Sequence, residues 1–299
     1  DFLARYAGDE FIVILDNGSP ARAAEVAGNI IKRFSDSLKI EGQIINTTPS
    51  IGISFYPMDA DDIEALLKNA DIAMYQAKAQ GRNNFQFYKP DMHFQFTQKI
   101  EMEGALRKAL QNDEFVIHYQ PLIDLKSGCI YGAEALIRWK HPKFGLVRPD
   151  VFIPIAEETG LVVPIGDWVL KTACMQNKVW RDSGLPPIHM AVNISYHHLK
   201  HEGLISSIRQ VLKETEMEPQ YLELEITEGA LKDGEELKSI LEIIASIGVK
   251  ISIDDFGLGY SSFSVLQNIA INNLKIDKSI IKNIARNSKA EAIVKTIIE

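Results

Sequence analysis

Lys250-Ile251-Ser252-Ile253-Asp254-Asp255-Phe256-Gly257 is the stretch that decides how the rest of the chain is read. A short apolar, β-branched run ends in two adjacent carboxylates and then a glycine. A run bounded in this way predicts a buried parallel strand, with the aspartates standing where strand passes into loop. Neighbouring carboxylates repel each other and lose solvation if buried, so they demand cations. Taken alone, the stretch fits two readings: a solvated turn completed by Phe256 and Gly257, or a metal site.

Outward from it, the same pattern recurs. Tyr131 to Arg138 offers Glu134, and Met190 to Ser195 offers Asn193. Tyr221 to Glu228 offers Glu225, and Asn273 to Asp277 offers Lys275. Each is a polar group in a short apolar run, and helix-like stretches separate most of the runs. The arrangement predicts a parallel (β/α) barrel with its functional side chains at one mouth. Oxygen donors of this kind suit hard cations and need no cysteine or histidine. Each residue also has a plainer reading. Glu134 and Glu225 could be rim salt bridges, Asn193 a helix cap, and Lys275 a partner of Asp277.

Composition narrows the classes. The chain has 299 residues, 46% of them apolar, and a net charge of −8. That balance leaves no basic footprint for a nucleic-acid polymer. No run is long and apolar enough to cross a membrane, and no signal peptide opens the chain. Cys129 and Cys174 form no CxxC pair and read as free thiols of a reducing, cytoplasmic compartment. Among the seven histidines, His197, His198 and His201 lie closest together and predict a solvated helix start, not a ligand set. The chain opens inside a strand pattern (Phe2 to Tyr6) and stops inside a helical one (Ala292 to Glu299). This predicts a piece of a longer protein, with room for a membrane anchor upstream.

Residues 1–90 read as an α+β domain. Phe2 to Tyr6 and Phe11 to Leu15 predict a hairpin, turned at Ala7-Gly8-Asp9-Glu10. A helix follows from Pro20 to Leu38, with Ser19 as its cap. A strand is predicted at Thr48 to Phe55, a helix from Asp61 to Gln80 closed by Gly81, and a last strand at Phe85 to Tyr88. Residues 91–111 read as a linker with helical spacing from Lys99 to Gln111. Residues 112–299 read as the (β/α) repeat. Its strands fall at 114–121, 130–139, 188–194, 221–226, 249–254 and 272–276, and its helices include 152–159, 165–181, 204–214 and 235–247.

Arg5-Tyr6-Ala7-Gly8-Asp9-Glu10-Phe11 resembles the GGDEF signature of diguanylate cyclases, and Ala70 to Asn83 resembles that family's C-terminal helix. The resemblance implies that Asp9 and Glu10, beside Gly8, bind metal under nucleotide phosphates. It implies that Lys78 and Arg82 contact the phosphates of GTP. Ala7 replaces the signature's first glycine, and the family's first strand and helix lie upstream of Asp1. Both departures predict a degenerate, partial GGDEF domain that is silent or senses nucleotide.

The rest of the chain resembles the EAL family of cyclic-di-GMP phosphodiesterases. Glu134-Ala135-Leu136-Ile137-Arg138 matches the signature. Phe152 to Leu161, Val192 to Ser195, Glu225 to Glu228, Asp254 to Gly257 and Leu274 to Asp277 match later motifs in the family's order. The resemblance implies a TIM-like (β/α) barrel and a bacterial signalling hydrolase that opens cyclic-di-GMP to linear pGpG. It implies two Mg²⁺ or Mn²⁺ ions. Glu134, Asn193, Glu225 and Asp254 would hold one, and Asp254 and Asp255 the other. It assigns Lys275, Glu134 and Asp255 to catalysis, Gln120 and Arg138 to substrate, and Glu228 to anchoring the loop from Phe256 to Ser262. A homodimer through this domain is a further family expectation. Leu258 stands where the family more often has a small or hydroxylated residue. Strands seven and eight, with a glutamate implicated in activating the water, fall beyond Glu299, so the barrel is expected to be incomplete and this piece weakly active. The alternative function is a non-catalytic cyclic-di-GMP receptor.

Overall fold

In a computed structural model of the chain, residues 1–35, 38–40, 43–45, 47–257, 269–282, 284 and 288–298 are described. They fall into two compact units, Asp1–Glu101 and Met102–Glu299.

The first unit is α+β. Strands β1 (Phe2–Ala7) and β2 (Glu10–Ile14) form an antiparallel hairpin. Gly8 takes φ +47° at its turn, and Arg5 Nε donates to the Gly8 carbonyl at 2.8 Å. Helix α1 (Pro20–Ser35) follows, with Ser19 Oγ accepting from the Arg22 amide at 3.3 Å. A short hairpin, β3 (Leu38–Ile40) with β4 (Gln43–Ile45), stands where the sequence pattern predicts only the end of a helix and a connection. Strands β5 (Ile51–Ile53) and β6 (Phe85–Phe87) pair in parallel, on either side of α2 (Ile63–Ala79) in sequence. Asp62 caps α2 through the Ala65 amide at 2.8 Å. A Cβ on Gly52 would lie 1.9 Å from the Ala70 carbonyl oxygen, so only glycine lets β5 approach α2 this closely. Helix α3 (Pro90–Ala109) begins nine residues before the expected helical spacing at Lys99, and its Met92 packs with Ile72 and Ala73 of α2.

The second unit is built on one sheet. Its strands are β7 (Phe115–Ile123), β8 (Ile130–His141), β9 (Gly145–Val147), β10 (His189–Asn193), β11 (Leu222–Thr227), β12 (Lys250–Phe256) and β13 (Asn273–Ile276). The order is β13-β12-β11-β10-β8-β7, with β9 on β8. From β8 through β13 the neighbours are parallel. The crossovers carry helices α4 (Pro149–Glu158), α5 (Val162–Asp182), α6 (Tyr196–Leu199), α7 (Leu204–Thr215) and α8 (Gly234–Ile247). Two further helices, Lys278–Ile281 and Ser288–Ile298, follow β13.

One expectation is corrected here. The barrel is not parallel throughout, because β7 pairs with β8 antiparallel, from Phe115↔Trp139 to Ile123↔Ile130. The connection explains it. Asp124 Oδ1 accepts from the Ser127 amide at 2.7 Å and from the Lys126 amide at 3.2 Å, and Gly128 takes φ +69°. So tight a turn can only reverse the chain, whereas a parallel return needs a crossover of about a dozen residues or more. The three-residue β9 is likewise absent from the sequence expectation.

The core of this unit lies between sheet and helices. Trp139, Phe152, Leu170, Met190 and Leu222 are completely buried. Trp139 also satisfies its ring nitrogen, donating to Glu114 Oε2 at 2.9 Å. A second correction concerns the histidines. The helix start is there, with His197 exposed in α6 and His201 exposed just beyond it, but His198 is buried, with Nε2 3.2 Å from Asp167 Oδ1. It fits because residue 166 is glycine: a Cβ there would lie 2.2 Å from His198 Nδ1.

Candidate functional site

Strand alternation decides which side chains can meet. Residues two apart on a strand share a face. On β11 this places Glu223 and Glu225 together, and on β13 Asn273 and Lys275. The parallel register sets Asn193 opposite Glu225 and Glu225 opposite Ser252.

The Lys275 ammonium is where these faces converge. Its Nζ lies 2.7 Å from Glu225 Oε2, 3.0 Å from Glu134 Oε2 and 3.7 Å from Asp254 Oδ1. Asn193 Nδ2 donates to Glu134 Oε1 at 2.8 Å. Four strand-borne groups from β8, β10, β11 and β12 thus gather around one lysine of β13. The plainer pairing of Lys275 with Asp277 does not occur, since Asp277 caps the next helix through the Ser279 amide at 2.7 Å.

The electrostatics follow from burial. The Glu225 side chain is 1% exposed. Burial pushes its carboxyl up to about 7, against the pull of Lys275, and the nearby Glu134 and Asp254 charges add to the rise. Burial opposes the Lys275 charge as well, but its hydrogen bonds to Glu225 and Glu134 outweigh that and raise it above the ordinary lysine value.

The donor set fits a divalent cation. Three carboxylates and an amide of the type hard cations select already surround a positive charge. Among the described residues, no three acidic, histidine or cysteine side chains stand at chelating spacing without adjustment. The ammonium accounts for that, because its contacts of 2.7–3.7 Å are longer than the metal–oxygen bonds of about 2.0–2.6 Å that a chelated ion makes.

The other expected site residues lie as follows. Asp255 has left-handed backbone (φ +53°) and an exposed side chain that hydrogen-bonds Asp277, so it stands outside the Lys275 cluster. Burial first, then the adjacent Asp254, holds its carboxyl above the ordinary value. Arg138 is half-buried on the Glu134 face of β8, with Nη1 donating to the Ile137 carbonyl at 2.8 Å. Gln120 is exposed on β7, directly opposite Glu134. Glu228 is 3% exposed and accepts from the Gly257 amide at 3.0 Å, tying down the start of the loop after β12. Leu258, and that loop as far as Ser262, lie outside the described residues.

In the first unit, Asp9 and Glu10 are exposed at the tip of the β1–β2 hairpin. Lys78 is exposed in the last turn of α2, and Arg82 follows it with φ +58°. Among the described residues no hydrogen bond or ion pair joins these two pairs.

Glu223 and Asn273 belong to no motif, yet they meet across the sheet, the exposed Asn273 donating from Nδ2 to the buried Glu223 Oε1 at 2.8 Å. The signal for them was the alternation itself, two positions before Glu225 and two before Lys275.

Comparison with known proteins identifies the family of each unit. The EAL domain model matches residues 103–299, and the model for the diguanylate cyclase GGDEF domain matches residues 1–84. The bifunctional diguanylate cyclase/cyclic di-GMP phosphodiesterase MucR of Pseudomonas aeruginosa is 42% identical over 299 residues, covering 100% of this chain and 44% of MucR. The cyclic di-GMP phosphodiesterase NbdA of the same organism is 38% identical, covering 100% of this chain and 38% of NbdA. The chain therefore spans less than half the length of these relatives. The solved structure of the Pseudomonas MucR phosphodiesterase with c-di-GMP superposes with a TM-score of 0.64 at 43% identity, covering 66% of this chain and 81% of that one. EAL phosphodiesterases in general depend on metal, and the fold of the second unit is their TIM-like barrel. The chain belongs to the EAL domain family, and its first 84 residues belong to the GGDEF family of diguanylate cyclase domains.

Proposed function

We propose that the second unit hydrolyses cyclic-di-GMP to linear pGpG. The observation that carries this is the convergence of Glu134, Glu225 and Asp254 on one half-buried ammonium, with Asn193 hydrogen-bonded to Glu134. Glu134, Asn193, Glu225, Asp254 and Asp255 would hold two Mg²⁺ or Mn²⁺ ions. Such ions polarise a phosphodiester and lower the pKa of a water molecule. The water oxygen bonds to phosphorus, the bond from phosphorus to the 3′ oxygen breaks, and that oxygen takes up a proton.

The chain's own residues hold this reaction in place. Lys275 orients the nucleophile and neutralises charge that builds at phosphorus, from a position its bonds to Glu134 and Glu225 prescribe. Arg138, on the Glu134 face of β8, takes a substrate phosphate, and Gln120 contacts the ligand from β7. Glu228 holds the Gly257 amide, and the loop that starts there would complete the second ion's site. In the first unit, Asp9, Glu10, Lys78 and Arg82 form a degenerate GTP site with a regulatory role. A homodimer through the EAL domain completes the reading.

The test is separation of products from labelled cyclic-di-GMP on thin layers, with Mn²⁺ and with chelator. Linear pGpG that appears with the ion and not with chelator supports the proposal. Cyclic-di-GMP that binds and stays intact overturns it in favour of a receptor.

A further inference from the structure

Below the Lys275 cluster the same sheet carries a second polar rung. Glu223 is 5% exposed, and a carboxylate so buried requires hydrogen-bond donors. Asn273 supplies one at 2.8 Å. The bond runs from β13 to β11 and passes over β12, which lies between them. The bond from Lys275 to Glu225 makes the same crossing one layer up. Ser252, completely buried on β12, is small enough to leave both crossings open, and its Oγ reaches the Asn273 carbonyl at 3.5 Å.

The backbone around Lys275 gives the rung its importance. Strand β13 has four residues and pairs only with β12 among the described strands. The pairing is regular at Ser252↔Asn273 and Ile253↔Leu274, then shifts before Phe256↔Ile276. Lys275 sits within the shift, so the ladder by itself does not set its height. The last ladder pair before it is Ile253↔Leu274, and one residue earlier Asn273 is held both by the ladder and by Glu223.

We propose that the Glu223–Asn273 rung positions Lys275, locking β13 to β11 across β12 so that the ammonium stands between Glu134 and Glu225. The inference rests on the phosphodiesterase reading only in giving Lys275 a part in hydrolysis. Glu223 and Asn273 act through Lys275 and are positioning residues.

Three variants and three readouts test it. The variants are Asn273→Leu, Glu223→Gln and the double Glu223→Leu/Asn273→Leu. The readouts are the rate of Lys275 reductive methylation by mass spectrometry in metal-free protein, the urea midpoint, and kcat with KM. Asn273→Leu is expected to speed methylation several-fold and lower kcat roughly tenfold, with KM moving less than about twofold, because misplacement costs rate rather than binding. Glu223→Gln keeps the acceptor oxygen and stays within about twofold of wild type in all three. The double variant removes both polar partners, so its midpoint recovers towards wild type while methylation stays fast and kcat stays low.

Wild-type methylation of Lys275 in Asn273→Leu overturns the proposal. So does recovery of kcat together with stability in the double variant, which would make the rung merely structural. If the wild type hydrolyses nothing, the phosphodiesterase reading falls, and the methylation rates alone then support or overturn the rung.

Discussion

Two acidic clusters in this chain have opposite fates. Asp9 and Glu10 stand exposed at a hairpin tip, with no ion pair to Lys78 or Arg82 among the described residues. Glu134, Glu225 and Asp254 come from three strands of one sheet and meet at Lys275. Adjacency in sequence puts two carboxylates side by side but supplies nothing to oppose their repulsion. Convergence from separate strands lets the sheet supply the opposing charge, and burial then makes that charge matter. An acidic pair becomes a site through what the fold sets across from it.

The sharpest way to break the contrast is to neutralise each cluster in turn and follow cyclic-di-GMP hydrolysis. Glu134→Gln and Glu225→Gln should each lower kcat by roughly a hundred- to a thousandfold, the scale of losing a group that organises charge at the reacting centre. Asp9→Ala and Glu10→Ala should change it less than about twofold. Comparable losses at the hairpin would erase the distinction.

Next in size is the counter-charge itself. Removing one partner of a buried pair strands the other's charge, at a cost of about 3 kcal/mol. Lys275→Met should therefore lower the urea midpoint of metal-free protein, read by tryptophan fluorescence. Trp139, Trp168 and Trp180 all lie in the barrel unit, so the signal reports that unit alone. Mn²⁺ should restore more stability to the variant than it adds to the wild type, because it returns positive charge to carboxylates that have lost theirs. An unchanged midpoint in chelator would mean that the ammonium does not hold the cluster together.

Much of this cluster was legible in the sequence, for a definite reason. Each member sits in a short apolar run, and a parallel sheet brings the same end of every run to one edge. Glu223 and Asn273 followed the same alternation but carried no motif to single them out. The antiparallel first pair was not legible from the apolar runs, which look the same in either strand direction; it follows from the connection near Asp124, which is too short for a crossover. Asp255 was assigned to a second ion shared with Asp254, and what the sequence did not announce is the left-handed backbone that brings its side chain to Asp277. His198 was opaque for another reason. Its burial depends on the missing Cβ of Gly166, which nothing near residue 198 announces.

That cradle gives a smaller test within the barrel unit. In Gly166→Ala the added methyl would meet the His198 ring at 2.2 Å from Nδ1 and 2.6 Å from Cε1. The ring is buried and cannot swing into water, so helix or ring must shift, at a cost of about 1–3 kcal/mol. Gly28, in the middle of α1, has open space at its Cβ, and Gly28→Ala should instead stabilise its helix by up to about 1 kcal/mol. Circular dichroism melts of the two variants should move in opposite directions. If both rise, the glycine at 166 is not what makes room for His198.

The smallest effect is a pH dependence carried by His198 in the barrel unit. Burial lowers the His198 pKa from its ordinary 6.5, outweighing the Asp167 carboxylate that faces it, while His201 adds a little in the same direction as burial. The folded state therefore binds this proton less readily than the unfolded chain does. Below pH 6.5 the unfolded chain takes up the proton first, so stability falls as pH falls, and above 6.5 the full contribution is present. A single proton limits the slope to about 1.4 kcal/mol per pH unit. In His198→Phe the ring packs without titrating, so the fluorescence-detected midpoint should fall less between pH 7.5 and pH 5.5 than in the wild type. Equal falls in the two proteins would place the acid sensitivity of the barrel unit elsewhere and leave the His198–Asp167 contact with packing as its whole contribution.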